Sequence, residues 1–469
     1  MRRITLTLAV TLGLCAPAFA DENAPSTKSL AAAEKLREQA MAGNQAYELT
    51  ASLTTDVGQR MAGSEGDRRA VQWAKAKFEA LGFDRVELQP VSYARWMRRH
   101  ESASLLSPYA MPLSITALGR SSGTNGDIDA EVMRFDDIEA LKAADPAVVK
   151  GKIAFIDKGM VRSQDGHGYG ETVPGRSTGP AVAAMKGAAA LLIRSVGTDN
   201  NRLPHTGAMW QKPETPTVPA AALSVPDADQ LARLLAKGPV SVRLNLDVGF
   251  DGEFESANVI GEITGSEKPD EFVVIGGHLD SWDLGTGAID DASGVGITMA
   301  AGALIAALPE RPRRSIRVVA FANEEQGVFG GRAFAEAGDA DKAIIGAESD
   351  FGADRIYQLQ SSMGANPDAT LKAMADLMAP LGIPYDAGEG HPGADISGLT
   401  GKGMPFVALN QDGTRYFDYH HTANDTLDKI DPAALDQQVA AYAIFAWLAA
   451  DGSSDFGRMD VAGEAQSGK

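Results

Sequence analysis

The segment 271–308 constrains the fold of this chain more than any other. EFVVIGGHLD (271–280) starts as an apolar run and ends in two glycines, a histidine, a leucine and an aspartate. It reads as a buried strand that turns polar at its carboxyl end. Asp280, Asp283, Asp290 and Asp291 follow His278 within thirteen residues. ASGVGITMAAGALIAAL (292–308) comes next and resembles a membrane span. Its seventeen residues are broken by glycine and serine and follow two aspartates, so a fully buried helix is expected instead. Like charges packed this closely repel one another. The stretch between strand and helix is therefore either a solvated acidic loop or a cradle for something strongly positive.

The same order recurs downstream. SIRVVAFANEE (315–325), KAIIGAESD (342–350) and MPFVALN (404–410) are expected strands with polar carboxyl ends, and 371–382 is an expected helix. This alternation predicts an α/β fold, an open, mostly parallel mixed sheet covered by helices on both faces. Ligands of such sheets bind at the carboxyl ends of the strands. Upstream, 27–57 is rich in Ala, Glu and Lys and predicts helix. Ser64 is placed to cap a second helix, with Asp67 in its first turn. Val71, Ala74, Phe78 and Leu81 follow at helical spacing and Gly82 stops it. Residues 86–96 read as a strand.

From about 120 to 250 the character changes. Short apolar strands bounded by glycine (151–159, 187–197), a strand then a helix (215–238) and an alternating strand (240–248) fill this block. It holds no cluster of His, Asp and Glu. The expected organisation is one α/β domain over 21–119 and 251–469, with a β-rich domain inserted at 120–250.

Residues 1–20 stand apart. Two arginines, an apolar stretch and the small-residue ending APAFA predict a secretory signal cleaved after Ala20, hence a secreted or periplasmic protein. Cys15, the only cysteine, falls inside that signal, so neither disulfide nor thiol chemistry is expected of the mature chain. A formal net charge of −19 argues against nucleic acid and anionic membranes as partners. A homodimer is compatible with the sequence.

The polar strand ends form a constellation. His278 and Asp280 end one strand, Glu324 and Glu325 the next, and Asp350 a third. Asp290 precedes the buried helix, and His420 and His421 follow the last strand. Imidazoles and carboxylates together at a strand-end crevice suit zinc. Two Zn²⁺ ions would be neutralised by Asp290, Glu325, Asp350 and a hydroxide, whereas a single ion leaves the site negative. Such ions sit about 3.5–4 Å apart and need a carboxylate with one oxygen for each; Asp290 is the candidate.

In order, the motifs H-L-D (278–280), D-D-A-S-G (290–294), E-E (324–325), a lone Asp350 and H-T-A-N-D-T (421–426) resemble the co-catalytic zinc aminopeptidases. Segments 276–291, 323–330, 348–352, 388–396 and 419–432 are similar to the plasma glutamate carboxypeptidase (carboxypeptidase Q) branch of that family. Residues 120–250, including HTG at 205–207, resemble its protease-associated domain. The resemblance implies the α/β/α zinc exopeptidase fold and two zinc ions per chain. His278 and Asp350 would hold one ion, Glu325 and His421 the other, and Asp290 would bridge. Glu324 would be the general base, and Asp280 would accept a hydrogen bond from His278. A cis Asp290–Asp291 peptide is also implied.

Several assignments stay open at this level. His420 competes with His421, and Glu348 and Asp354 lie near Asp350. Asp290 or Asp291 is expected to cap the following helix. Asp283 and Asp291 read as loop residues. His420 or Tyr416 would donate to the oxyanion, His391 and Asp395 would line the substrate pocket, and His205 and Trp210 would reach over the site from the insert. Arg332 and Arg355 could meet a carboxylate but form no cluster. The expected function is a secreted di-zinc metallo-exopeptidase, an aminopeptidase or dipeptidase acting on short peptides. The rivals are a glutaminyl cyclase-type acyltransferase with one zinc and a catalytically inactive, receptor-type binding protein on the same fold.

Overall fold

The computed structural model describes residues 23–210, 215–362 and 368–459. The expected signal at 1–20, with Cys15, lies outside the described residues. In chain order the strands are β1 (Arg85–Ser107), β2 (Met111–Leu113), β3 (Ile115–Ala117), β4 (Ile128–Phe135), β5 (Ile153–Ile156), β6 (Ala190–Arg194), β7 (Ala220–Leu223), β8 (Ser241–Ile263), β9 (Lys268–His278), β10 (Arg314–Phe321), β11 (Ala343–Glu348), β12 (Ile356–Ser361) and β13 (Val407–Gln411).

Two long strands carry the architecture. β1 and β8 pair antiparallel along nearly their whole lengths, with register breaks at Ala94/Trp96, Arg98/His100 and Leu105/Ser107. The carboxyl-terminal end of β8 pairs with β10, and β10, β9 and β11 continue as parallel neighbours. The amino-terminal end of β8 pairs with β4, after which β5, β6 and β7 run parallel and β3 closes the edge antiparallel. The sheet is thus mixed, with a parallel block on each side of one antiparallel ribbon.

β9 shows why its sequence loses alternation. Val273 and Ile275 face a cluster with residues of the helices Thr27–Ala42, Ser293–Ala306 and Pro432–Asp451, while Phe272 and Val274 face Phe334, Ile396 and Met404. A strand buried on both faces reads as a continuous apolar run. The helix Ser293–Ala306 lies against β9 and β10 and beneath Pro432–Asp451, which explains its membrane-like composition. Its close approach needs glycine. A β-carbon at Gly277 would lie 2.3 Å from Asp291 Oδ2, and one at Gly294 would lie 1.9 Å from the Ser349 carbonyl oxygen.

Three expectations differ from what is observed. The 404–410 strand does not join the large sheet: β13 pairs antiparallel with β12 and touches β11 through one bridge, Gly346–Phe406. β1 runs well past residue 96, and β3 pairs with β7 before residue 120 is reached. A short apolar run encodes a buried strand but not its partner. Ser64 caps the helix Glu65–Ala80 as expected, yet Asp67 turns inward and accepts from Gly63 N–H, Tyr93 and Ser256.

A buried cation holds the acidic loop. Arg60 is fully buried, and its guanidinium donates to the carbonyls of Leu279 (2.6 Å), Thr286 (2.6 Å) and Gly287 (2.8 Å). It ties together both ends of the segment between β9 and the buried helix. Replacing Arg60 with Met would strand three carbonyls, at a cost of about 3 kcal/mol. A denaturant titration should show the lower midpoint. A loss under about 0.5 kcal/mol would mean that the loop holds itself.

Candidate metal centre

β9, β10 and β11 are adjacent and parallel, so their carboxyl ends share one edge. That register brings His278, Glu324, Glu325 and Asp350 together although they are far apart in sequence. The turn Ala288–Ala292 adds Asp290, and the loop after Tyr416–Asp418 adds His420 and His421. All seven line one cleft of about 1250 Å³. The Asp290–Asp291 peptide is cis.

Asp290 sits at the middle. One of its oxygens lies 3.0 Å from His278 Nε2, which is itself 3.4 Å from Asp350 Oδ1. Its other oxygen lies 3.3 Å from His421 Nε2, which is 2.9 Å from Glu325 Oε2. Ligand atoms around a tetrahedral zinc at 2.0–2.1 Å are about 3.3 Å apart. Each of these two imidazoles thus stands within 2.9–3.4 Å of one Asp290 oxygen and one further carboxylate, close to that ligand-to-ligand spacing. Asp290 Oδ2 and Glu325 Oε1 are buried and meet no hydrogen-bond donor among the described residues. The donor set fits the metal.

The neighbouring candidates separate on the same grounds. His420 Nε2 stands farther from Asp290, at 3.7 Å, and its ring stacks on His421 with centroids 3.5 Å apart. Asp291 can also close a three-residue group with His278 and Asp350. Its oxygens are already occupied by the backbone N–H groups of His278 and Gly294, both at 3.0 Å, so Asp291 is the residue that caps the helix. Glu348 is likewise occupied, by the N–H groups of Ala394 and Ile396.

Neighbouring groups set the orientation of the histidines. His278 Nδ1 lies 3.0 Å from the Asp280 backbone carbonyl and 3.8 Å from its carboxylate. Asp280 therefore orients the ring through its main chain, while its side chain accepts the Glu324 N–H at 2.9 Å. His421 has φ +61°, a region costly for a β-carbon. Its carbonyl accepts the Thr206 N–H at 3.0 Å, and its Nδ1 lies 3.3 Å from the Thr206 carbonyl. His205 does not reach over the site. It is buried beneath the loop, with Nδ1 2.7 Å from the His420 carbonyl. Asp425 accepts the N–H groups of Ala288 and Ile289, both at 2.7 Å, and fixes the turn that carries Asp290.

Burial and crowding set the protonation. Burial alone would raise Asp290, but the hydrogen bond to His278 and the neighbouring His421 ring hold it well below the usual range. Burial would lower both histidines; Asp350 and Asp290 instead raise His278 well above its ordinary value, and Glu325 with Asp290 raise His421 to about 9. Burial raises Glu325, Asp350 and Glu324, and for Glu324 the charges of Asp350 and Glu325 add to it. His420 is pushed well below its ordinary value by burial and by His421, so it is neutral. Without a metal this cluster retains protons that a divalent cation would displace.

Tyr416 lines the cleft, 5.0 Å from the His420 ring, and burial keeps it protonated. His391 lies exposed at the rim and Trp210 lines the wall. Asp395 does not line the pocket as expected: it is buried at 1% exposure, because its turn packs against β11 and the helix Phe329–Ala335. Asp283 pairs with Arg98 at 3.0 Å, a structural contact. Arg60 and Thr206 escape the sequence reading because neither lies at a strand end, and the contacts of Asp425 escape it although its place in the motif does not. For Asp425 the H-T-x-x-D-T spacing was the available signal.

The model of "Peptidase family M28" matches residues 258–446, the span that carries every candidate ligand. Carboxypeptidase Q of Xenopus laevis is 35% identical over 416 residues, covering 87% of each chain. Carboxypeptidase Q of Homo sapiens is 34% identical, covering 87% of this chain and 86% of its own. Among solved structures, a peptidase M28 precursor from Shewanella amazonensis superimposes with a TM-score of 0.87 at 46% identity, over 91% of this chain and 98% of that one. A zinc aminopeptidase from Bacillus subtilis shares the fold, with a TM-score of 0.63 at 17% identity, over 88% and 98% of the two chains. The chain belongs to peptidase family M28 and is a metallo-exopeptidase of that family.

Proposed function

We propose that this exopeptidase works with two zinc ions and cleaves single residues from short peptides, as an aminopeptidase or dipeptidase. The observation that carries this is the one Asp290 carboxylate between two imidazole–carboxylate pairs. His278, Asp350 and one Asp290 oxygen would hold the first ion; His421, Glu325 and the other oxygen would hold the second. Bound there, zinc supplies Lewis-acid polarisation of the scissile carbonyl and acidifies water.

The chain's own groups do the rest. Glu324 lines the cleft outside both triads, and its raised pKa suits a proton carrier. It takes the proton of the attacking water and returns it to the leaving amine. Asp280 positions it through the Glu324 N–H. Tyr416 and neutral His420, whose Nδ1 has no partner, are the donors available to the developing oxyanion.

The segment 120–250 serves as a protease-associated-like insert. Val173, Ser177 and Trp210 from this segment wall the cleft, which supports restriction to chain ends. Secretion to the periplasm or beyond follows from the signal pattern at 1–20.

Metal analysis of purified protein should plateau at two zinc per chain, and dipeptides with a free amine should be cleaved. A plateau at one zinc with cyclase activity would overturn the reading in favour of an acyltransferase. Full zinc occupancy with no hydrolysis of any dipeptide or aminoacyl anilide would favour a receptor-type protein. Glu324→Gln is expected to lower kcat by about 10²–10⁴-fold with zinc retained; loss of zinc as well would count against its role as base. Because the raised histidines and carboxylates must release protons to bind metal, zinc affinity should fall on acidification. The expected slope is about tenfold per pH unit for each proton released, measured by competition with a chelator.

A further inference from the structure

One cation in the cleft pairs with no anion among the described residues. Arg176, in the turn Pro174–Ser177, is 4% exposed and lines the cleft. Among the described residues lining the cleft it is the only Lys or Arg, beside seven Asp and Glu side chains. None of those carboxylates pairs with it. Its Nη2 reaches the Tyr169 hydroxyl, while Nε and Nη1 have no hydrogen-bond partner among the described residues. Buried guanidinium donors left unmet are costly, so the wild-type cleft is built for an anion that arrives with the substrate.

The cradle is specific. The guanidinium carbon lies 5.3 Å from the Tyr169 ring centroid, and Nη1 packs on Gly207, where a β-carbon would come within 2.4 Å of it. Gly207 also has φ +131°, so the position favours glycine twice over. The Tyr169 ring stands edge-on to His420 at 5.5 Å, and His420 stacks on His421. One aromatic ring therefore separates Arg176 from the histidine pair. An extended residue advances about 3.3–3.6 Å, so the residue after the cleaved bond would bring a carboxylate past the Tyr169 ring toward Arg176.

Building on the exopeptidase reading, we propose that Arg176 binds the carboxylate of the leaving residue and so selects peptides whose leaving residue is anionic, free dipeptides first among them. The carboxylate can be the chain terminus or an acidic side chain; both present the same planar anion to the guanidinium.

Steady-state kinetics of the zinc-loaded enzyme test this with Ala-Ala, Ala-Ala amide and Ala-Asp amide. Arg176→Met should lower kcat/KM for Ala-Ala by about 10- to 100-fold, mainly through KM, and leave Ala-Ala amide within about twofold. Arg176→Lys should recover part of the loss. Dependence on Arg176 for Ala-Asp amide in place of Ala-Ala would assign the carboxylate to the side chain. Equal losses on Ala-Ala and its amide, or no loss on either carboxylate substrate, would overturn the proposal. Calorimetry with a reduced-amide Ala-Ala analogue, as free acid and as amide, separates this from failure of the exopeptidase reading. An enzyme that cleaves nothing but binds the acid at least about tenfold tighter, with the preference erased in Arg176→Met, would keep Arg176 and sink the peptidase reading. Equal binding of acid and amide by wild type would sink the Arg176 proposal.

Discussion

The structure turns on a carboxylate that cannot relax. Asp290 is buried between two imidazoles, each of which also faces a second acid. In water such a group would simply be hydrated. Here the buried helix, the Asp291 cap, the Asp425 contacts and the Arg60 clamp fix its backbone on every side. A rigid, dry, acid-rich site leaves two ways to balance charge, bound protons or bound cations. The perturbed pKa values and the affinity for divalent metal are two expressions of the same confinement.

Placement of the candidate ligands is shared across the molecule. His421 belongs to the loop after β13, but its left-handed backbone is held by Thr206, and His420 is held by His205. Arg98 on β1 ties Asp283, beyond β9, to Thr206 and Ala117. The long β1–β8 ribbon makes this possible because it carries the second half-sheet to a position facing the strand ends. The segment 120–250 thus supplies support to the candidate metal site as well as a wall to the cleft.

Much of the candidate site is legible in the sequence. His278, Glu324, Glu325 and Asp350 each follow a short apolar run, and parallel strands gather such ends at one edge. His421 over His420 was favoured by spacing alone, and the 2.9 Å contact with Glu325 agrees with it. Asp350 over Glu348 became plain only when both Glu348 oxygens proved to be spent on backbone N–H groups. Asp395 was misplaced because a glycine-rich turn carries no periodicity from which to read its facing. The partner of β13 was missed because hydrophobicity marks burial without marking pairing.

By itself the sequence determined the residue types and their order: which runs must be buried, which helix is apolar all round, and which acids and imidazoles cluster at strand ends. These follow from local periodicity and charge, which the chain carries residue by residue. Tertiary structure alone decided which oxygen faces which imidazole, that Arg60 closes the acidic loop, and that Arg176 enters the cleft from a segment about a hundred residues before His278. Those outcomes depend on distances between elements remote in sequence. Such distances are set by sheet register and close packing, and no local pattern encodes them.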